Sequence, residues 1–445
     1  MRMRPGGNES AGRAGKAGWA GWVLLFVFFL PGYPALPAHP AFVFAQVPFD
    51  QAIGGLSSKD PKVRLHAATL LKESAYLESA IPLAKLISDP DNAVQLEAIA
   101  AEVNIFTAGK GGPKRVGFIT IEDRSHPAAQ TIFDAGTLAL GPAPVPPAVL
   151  LTLRLATRDD SPKVSLEALY AFGALGGQPT GAVRRDLLQT SLNDLKGLLA
   201  VPDPALRLAA VRVIGRLYER RPGDATVDEG LGNLVIAAVN ENDRAMKLAA
   251  MDTLGALRET RAVGGLTQLF QFYGKSDMAE AALAALARIG HRSSAPLFLM
   301  QLSGGSTPFK VLAIEGLART GDASHVAAIQ AALKREHDDH VVGASYFAAA
   351  MLSNGPIEQI VDALNRPKSH DAARQYLAEI APGRVSRMSR YAQDPSPRMR
   401  MDVADIIFLS GDPQAVQVVA PLLTDQDKQV AMAAERATMR LKTDR

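Results

Sequence analysis

Apolar positions in this chain recur at helical spacing. Leu206, Ala210, Val213 and Leu217 step by four, three and four, while Arg207, Arg212, Arg216 and Arg220 fall elsewhere on the helical wheel. One face of such a segment is apolar and the other wet. The segment is also one copy of a returning phrase: Leu206-Arg207-Leu208-Ala209-Ala210 recurs forty residues later as Met246-Lys247-Leu248-Ala249-Ala250. A longer stencil, with a later apolar-Gly-x-Leu element, fits Val164 to Leu175, Leu206 to Leu217 and Met246 to Leu257. Self-similarity at this period predicts stacked helical units. About eleven copies begin near Lys62, Ala93, Lys163, Ala205, Arg244, Met278, Pro308, Val341, Asp371, Pro397 and Asp427, mostly 30 to 42 residues apart. One further helix is expected between most copies, as at Ser79 to Ile87, Val183 to Leu199, Val227 to Val239, Ala262 to Phe272, Ser324 to Leu333 and Gln414 to Leu423. The chain therefore reads as all-α, built of antiparallel helix pairs whose apolar stripes are buried only by stacking.

The turn and helix Lys59-Asp60-Pro61-Lys62-Val63-Arg64-Leu65-His66-Ala67-Ala68, and again Pro202-Asp203-Pro204-Ala205-Leu206-Arg207-Leu208-Ala209-Ala210, resemble the D-x-x-V-R-x-x-A-A signature of HEAT-type repeats. The resemblance covers residues 50 to 441 and implies an α-solenoid of about eleven HEAT-like pairs. It further implies a ladder of acidic turn residues and basic helix residues joining the repeats. Asp60 with Arg64, Asp203 with Arg207 and Asp243 with Lys247 match it. Ser165 and Ala279 stand at the basic position of other copies, so the ladder is expected to be discontinuous.

The rhythm breaks once. From Thr107 to Pro147 an insertion runs from Gly-rich (Gly109-Lys110-Gly111-Gly112-Pro113) through a candidate strand (Val116 to Glu122) to Pro-rich (Gly141 to Pro147). Long insertions in repeat arrays serve either as packed surface loops or as partner-binding flaps. Ahead of the array, residues 1–45 read as a secretory signal. Arg2, Arg4, Arg13 and Lys16 precede the twelve-residue apolar run Trp19 to Leu30, and Val43-Phe44-Ala45 offers a cleavage site before Gln46. That run is shorter than the roughly 18 to 20 residues needed to span a bilayer. The mature chain, 46–445, is expected in the periplasm or outside the cell.

The signal segment changes the electrostatic picture, because it carries four of the 48 basic and one of the 45 acidic residues. The remaining 44 of each sign leave no net attraction for a polyanion, which argues against nucleic acid. With no cysteine in the chain, an oxidising compartment supplies no disulfide, and stability rests on packing.

Candidate chemistry is sparse. The HEAT resemblance also takes in iron-dependent deoxyhypusine hydroxylases and bilin lyases. The hydroxylases need His-Glu pairs, and none of the eight histidines here is followed by glutamate. The lyase reading has no motif to test. His337-Asp338-Asp339-His340 offers four candidate metal ligands in one turn, but adjacent residues seldom converge on one ion, and acids there suit a helix cap. Gly274-Lys275-Ser276 lacks the upstream glycine of a phosphate-binding loop, the position being Leu269. No catalytic residue and no cofactor are assigned. Arg384, Arg387 and Arg390 form a basic stripe that reads as a solvated helical face or a contact for an acidic partner or anionic membrane surface. Five residues beyond the ladder position stand Thr69, Tyr170, Arg212, Asp252, Ala284, Glu315 and Asp405, chemically mixed. That mixture suits a protein or peptide surface better than a polyanion groove, so Tyr170, Arg212, Asp252 and Glu315 are the partner-binding candidates. The function expected is an exported, non-enzymatic scaffold for a protein or peptide, with a lyase-like or metal-dependent enzyme, or a peripheral envelope-binding protein, as alternatives.

Overall fold

The computed structural model describes residues 49–108, 114–116, 119–121, 128–177, 181–221, 224–334 and 336–443. The expected signal segment and, within the insertion, residues 109–113, 117–118 and 122–127 lie outside the described residues.

Each copy of the repeated phrase is a helix: Pro61–Ser74, Asn92–Phe106, Pro162–Leu175, Pro204–Leu217, Arg244–Ala256, Asp277–Ile289, Thr307–Arg319, Asp339–Ser353, His370–Ile380, Pro397–Ser410 and Lys428–Thr443. Every one packs against the next, forming a tight layer. A preceding partner element completes each pair and builds a second layer. Its members include Ala80–Ala84, Pro147–Ala156, Gly181–Leu198, Glu229–Ala238, Val263–Tyr273, Ala295–Gly304 and Val326–Leu333, and they touch one another more sparsely. The chain is an α-solenoid, with eleven stacked pairs among the described residues.

Local chemistry sets where these helices begin. Asp203 is an N-cap in extended backbone, and its Oδ1 accepts from the amides of Ala205 at 2.8 Å and Leu206 at 3.2 Å. Asp60, Asp91, Asp243 and Asp338 do the same for their helices, and Pro61 and Pro204 occupy first-turn positions that need no amide donor. Asp203→Ala is expected to cost about 1 kcal/mol in denaturant unfolding, with unchanged helix content; no change would mean that water caps this helix equally well.

The apolar-Gly-x-Leu element has a packing cause. Added at Gly173, a Cβ would meet Val213 at 2.6 Å and the Phe133 ring at 2.9 Å; added at Gly215, it would meet Thr253 Oγ1 at 2.8 Å. These are the points where the next tight-layer helix crosses. Glycine inside a helix costs about 1 kcal/mol relative to alanine, a cost offset here by backbones that can approach to contact.

The ladder exists, but its acids differ from those expected. Asp60, Asp203 and Asp243 spend their carboxylates on helix amides. The basic residues reach instead to the acid two positions before the next helix's N-cap. Arg64 makes a bidentate pair with Asp89 at 2.6 and 2.7 Å, and Arg400 repeats it with Asp425 at 2.6 and 2.8 Å. Arg207 bonds Glu241 at 3.1 Å, Lys310 pairs with Glu336, and Gln95 substitutes for the cation by donating to Asp159 at 2.8 Å. Arg64, Arg207 and Arg400 each also bond the carbonyls five and six residues upstream, so one side chain fastens its own turn to the next repeat. Among the described residues Lys247 reaches only the Tyr273 hydroxyl, at 3.5 Å. Ser165 donates to the Thr157 carbonyl, and counting from the Ser276 cap puts Glu280, rather than Ala279, at the sixth copy's position.

The described residues of the insertion form a hairpin and a helix. Lys114–Val116 pairs antiparallel with Ile119–Ile121, a hairpin where a single strand was expected. The helix Ala129–Ala135, not expected from the pattern of apolar residues, packs on Pro162–Leu175 and buries Ala129, Ile132 and Phe133. Backbone bonds Ala108 N–H to Ala139 O at 2.6 Å and Gly141 N–H to Phe106 O at 2.7 Å tie the two ends of the insertion together.

Candidate interaction surface

The side chains proposed from the sequence as a partner-binding row are largely engaged within the chain. Tyr170 is buried, and its hydroxyl accepts from Arg212 at 3.3 Å. Arg212 also pairs with Asp134 of the insertion at 2.5 Å and lies over the Phe133 ring, as does Arg216. Arg216 donates to the Phe133 carbonyl at 2.9 Å. Asp252, though exposed, binds Arg288 at 2.7 Å, and Arg288 also holds Glu219 at 3.0 Å. Asp405 pairs with Arg436 at 2.5 Å. The mixed chemistry along this row is thus the signature of cross-repeat pairing. In the sixth copy the row is completed by Ala285, one position beyond the Ala284 of the sequence reading.

Glu315 belongs to the densest of these networks. Arg319 bonds Glu315 at 3.0 Å and clasps Glu379 through Nε at 3.0 and 3.2 Å and Nη2 at 3.1 Å. Tyr376 donates to Glu315 at 2.6 Å and stacks on Phe347 at 4.6 Å, and Arg319 covers the same Phe347 ring. Arg258 approaches Glu379 at 3.5 Å from the fifth repeat. Burial and the adjacent Glu315 push the Tyr376 hydroxyl well above its ordinary value. The two carboxylates outweigh burial at Arg319 and raise its guanidinium, whereas at Arg258 burial prevails and lowers it.

Distant repeats meet through these contacts. Arg436, in the last helix, donates to the carbonyls of Leu138 at 2.9 Å and Leu140 at 3.1 Å, nearly three hundred residues earlier. Arg221, after the fourth tight-layer helix, donates to Leu409 O at 3.2 Å in the tenth. The array is therefore closed by its own side chains, with residues 129–140 of the insertion seated between the third, fourth and eleventh repeats.

The remaining sequence candidates are also accounted for by structure. Arg384, Arg387 and Arg390 flank and occupy short 3-10 turns, Val385–Met388 and Tyr391–Gln393, instead of one α-helical face. Arg384 donates to Ala350 O, and Arg387 to Gly355 O at 2.9 Å and Asn354 Oδ1 at 3.4 Å, at a helix end whose carbonyls attract cations. Arg390 pairs with Glu358 at 2.5 Å. In the His337–His340 turn, Asp338 is an N-cap accepting from His340 N–H at 2.9 Å and Val341 N–H at 3.4 Å, and Asp339 pairs with Arg366 at 2.7 Å. Among the described residues no group of three His, Cys, Asp or Glu is arranged to hold a metal ion.

Solved structures similar to the chain include an engineered protein, at 18% identity over 88% of this chain and 98% of that one, with a TM-score of 0.43. A chain from work on a phosphorylation switch in the cadherin and β-catenin interaction matches at 12% identity, 88% and 94% coverage and a TM-score of 0.42. Yeast importin-β (Kap95p) matches at 13% identity over 89% of this chain and 57% of its own, with a TM-score of 0.49. No protein family model matches the chain, and no match to it was found among the curated proteins.

Proposed function

We propose that the chain is an exported, non-enzymatic scaffold that binds a protein or peptide through its looser helix layer. The observation that carries this reading is the distribution of unpaired chemistry. The polar row of the tight layer formed by Tyr170, Arg212, Asp252, Glu315 and Asp405 is paired within the chain, whereas the loose layer presents Leu77, Ile81, Leu151 and Leu155, each about half exposed, on elements of the second and third repeats, of which Ala80–Ala84 and Pro147–Ala156 touch. Apolar side chains left exposed on adjoining elements of a repeat array suit a protein partner, and the ladder holds the repeats that present them in fixed register. Export rests on the signal-like composition of residues 1–45. Attachment to a membrane through Arg384, Arg387 and Arg390 would compete with the bonds these residues already make.

A crosslinking pull-down from envelope fractions with residues 46–445 tests the proposal, run beside Ile81→Glu/Leu155→Glu and with metal content assayed. The expected result is one stoichiometric protein partner whose capture falls about tenfold or more in the double variant. Equal capture by both chains, or a bound metal or pigment with no partner, would contradict it.

A further inference from the structure

The geometry points to a second site, an oxyanion-binding cleft between the fourth, fifth and sixth repeats, which we propose takes a phosphate or carboxylate group carried on a small molecule. The cleft has a volume of about 570 Å³ and is lined by Arg220, Arg221, Arg258 and Arg261, with Glu229, Glu259, Thr260 and Ile289 among its other walls. That volume lies within the range of small-ligand sites.

The four guanidiniums are not equivalent. Arg261 is neutralised locally by Glu259, at 2.9 and 2.7 Å, and by Glu229 at 3.5 Å. Arg258 shares Glu379 with Arg319 and donates through Nε to Arg220 O at 3.2 Å. Arg220 and Arg221 pair with no carboxylate side chain among the described residues. Arg220 bonds only the carbonyls of Leu257, at 3.2 Å, and Asp224, leaving Nε buried without a partner. Arg221 donates to Leu409 O at 3.2 Å, and the nearby Asp224 carboxylate is taken by the Arg221 backbone N–H at 2.7 Å.

Carbonyl acceptors hold a guanidinium in place without cancelling its charge. Two arginines fixed in this way present several N–H donors to a planar or tetrahedral oxyanion. The backbone contributes as well. Arg258 adopts a left-handed φ of 48°, sparsely populated for residues other than glycine, and Gly411 leaves room for the Arg221 guanidinium where a Cβ would lie 2.9 Å from it. Because Arg221 also bridges to the tenth repeat, an anion held here would brace the closure of the array.

Titration calorimetry on residues 46–445 tests the proposal with sodium phosphate and, separately, disodium succinate, each against sodium chloride at matched ionic strength. Saturable binding of one or both is expected at or below about 1 mM, and the responding arm identifies the oxyanion. Arg220→Gln/Arg221→Gln should weaken it about tenfold or more, while the exposed Arg398→Gln control leaves it unchanged. Should the double variant lose its helical circular dichroism, the single Arg221→Gln at the exposed rim serves in its place and should weaken binding in the same direction. No binding beyond chloride, or equal binding by wild type and the arginine variants, would overturn the site.

Discussion

Arg319→Met is expected to destabilise the chain by about 3–5 kcal/mol, the cost typical of removing one member of a buried ion network. The Arg319 side chain is 10% exposed, and it alone stands between Glu315 and Glu379, 16% and 21% exposed. Its removal leaves two carboxylates facing each other with only Tyr376 and the distant Arg258 nitrogen for compensation. Methionine keeps an unbranched apolar side chain of similar reach, so the loss reports the guanidinium, its ion pairs and its place over the Phe347 ring, more than volume. Guanidinium unfolding monitored by circular dichroism measures it. The triple variant Arg319→Met/Glu315→Gln/Glu379→Gln should recover a large part of the loss, because it removes the stranded charges too. A loss below about 1 kcal/mol would place this network among solvent-screened surface pairs.

Glu102→Met should act in the opposite direction and stabilise the chain by about 1–3 kcal/mol at pH 8, the usual cost of an unsatisfied buried polar group. Glu102 is fully buried in the helix Asn92–Phe106, and neither carboxyl oxygen has a hydrogen-bond partner. Burial alone holds its acid well above the ordinary value of 4.5. The folded chain consequently binds this proton more tightly than the unfolded chain. Its contribution is fully present below the unfolded value and is lost as pH rises through the folded one. The gain from Glu102→Met should therefore be small at pH 4 and grow as pH rises. Asp402 and Asp405, also raised by burial, are held by His370 and Arg436 and give the same direction in weaker form. An equal difference at pH 4 and pH 8 would show that Glu102 reaches solvent or a partner.

What the sequence revealed and what it hid divide along a physical line. Helical period, Asp caps and the Ala-rich and Gly-bearing faces are properties of contiguous residues, and the eleven tight-layer helices were legible from them. The function of Arg64 and Arg207 as rungs was legible too, although their acids were not, and the rung at Arg400 was not read from the sequence. Asp60 and Asp203 are nearest in sequence, but helix amides claim them, and the rung reaches Asp89 or Glu241 across a turn. Closure of the array was hidden for a stronger reason. Arg436 and Arg221 find backbone carbonyls, which every residue carries, so no residue type marks the contact. The insertion's helix Ala129–Ala135 is only seven residues long and flanked by Gly and Pro, too short for a periodic signal. Glu102 sits in Ala100-Ala101-Glu102-Val103, where its charge suggests a wet face, and only the packing of neighbouring helices buries it.

The closed array can be measured directly because the chain has no cysteine to remove. Spin labels at Ala135→Cys, on the exposed end of the insertion helix, and Met432→Cys, on an exposed turn of the last helix, span the contact made by Arg436. Pulsed electron–electron distance measurement should give one short, narrow distribution that broadens and lengthens on Arg436→Ala. A broad, long distribution in the unaltered background, insensitive to Arg436, would mean that the repeats form an open array whose inner row is free for a partner.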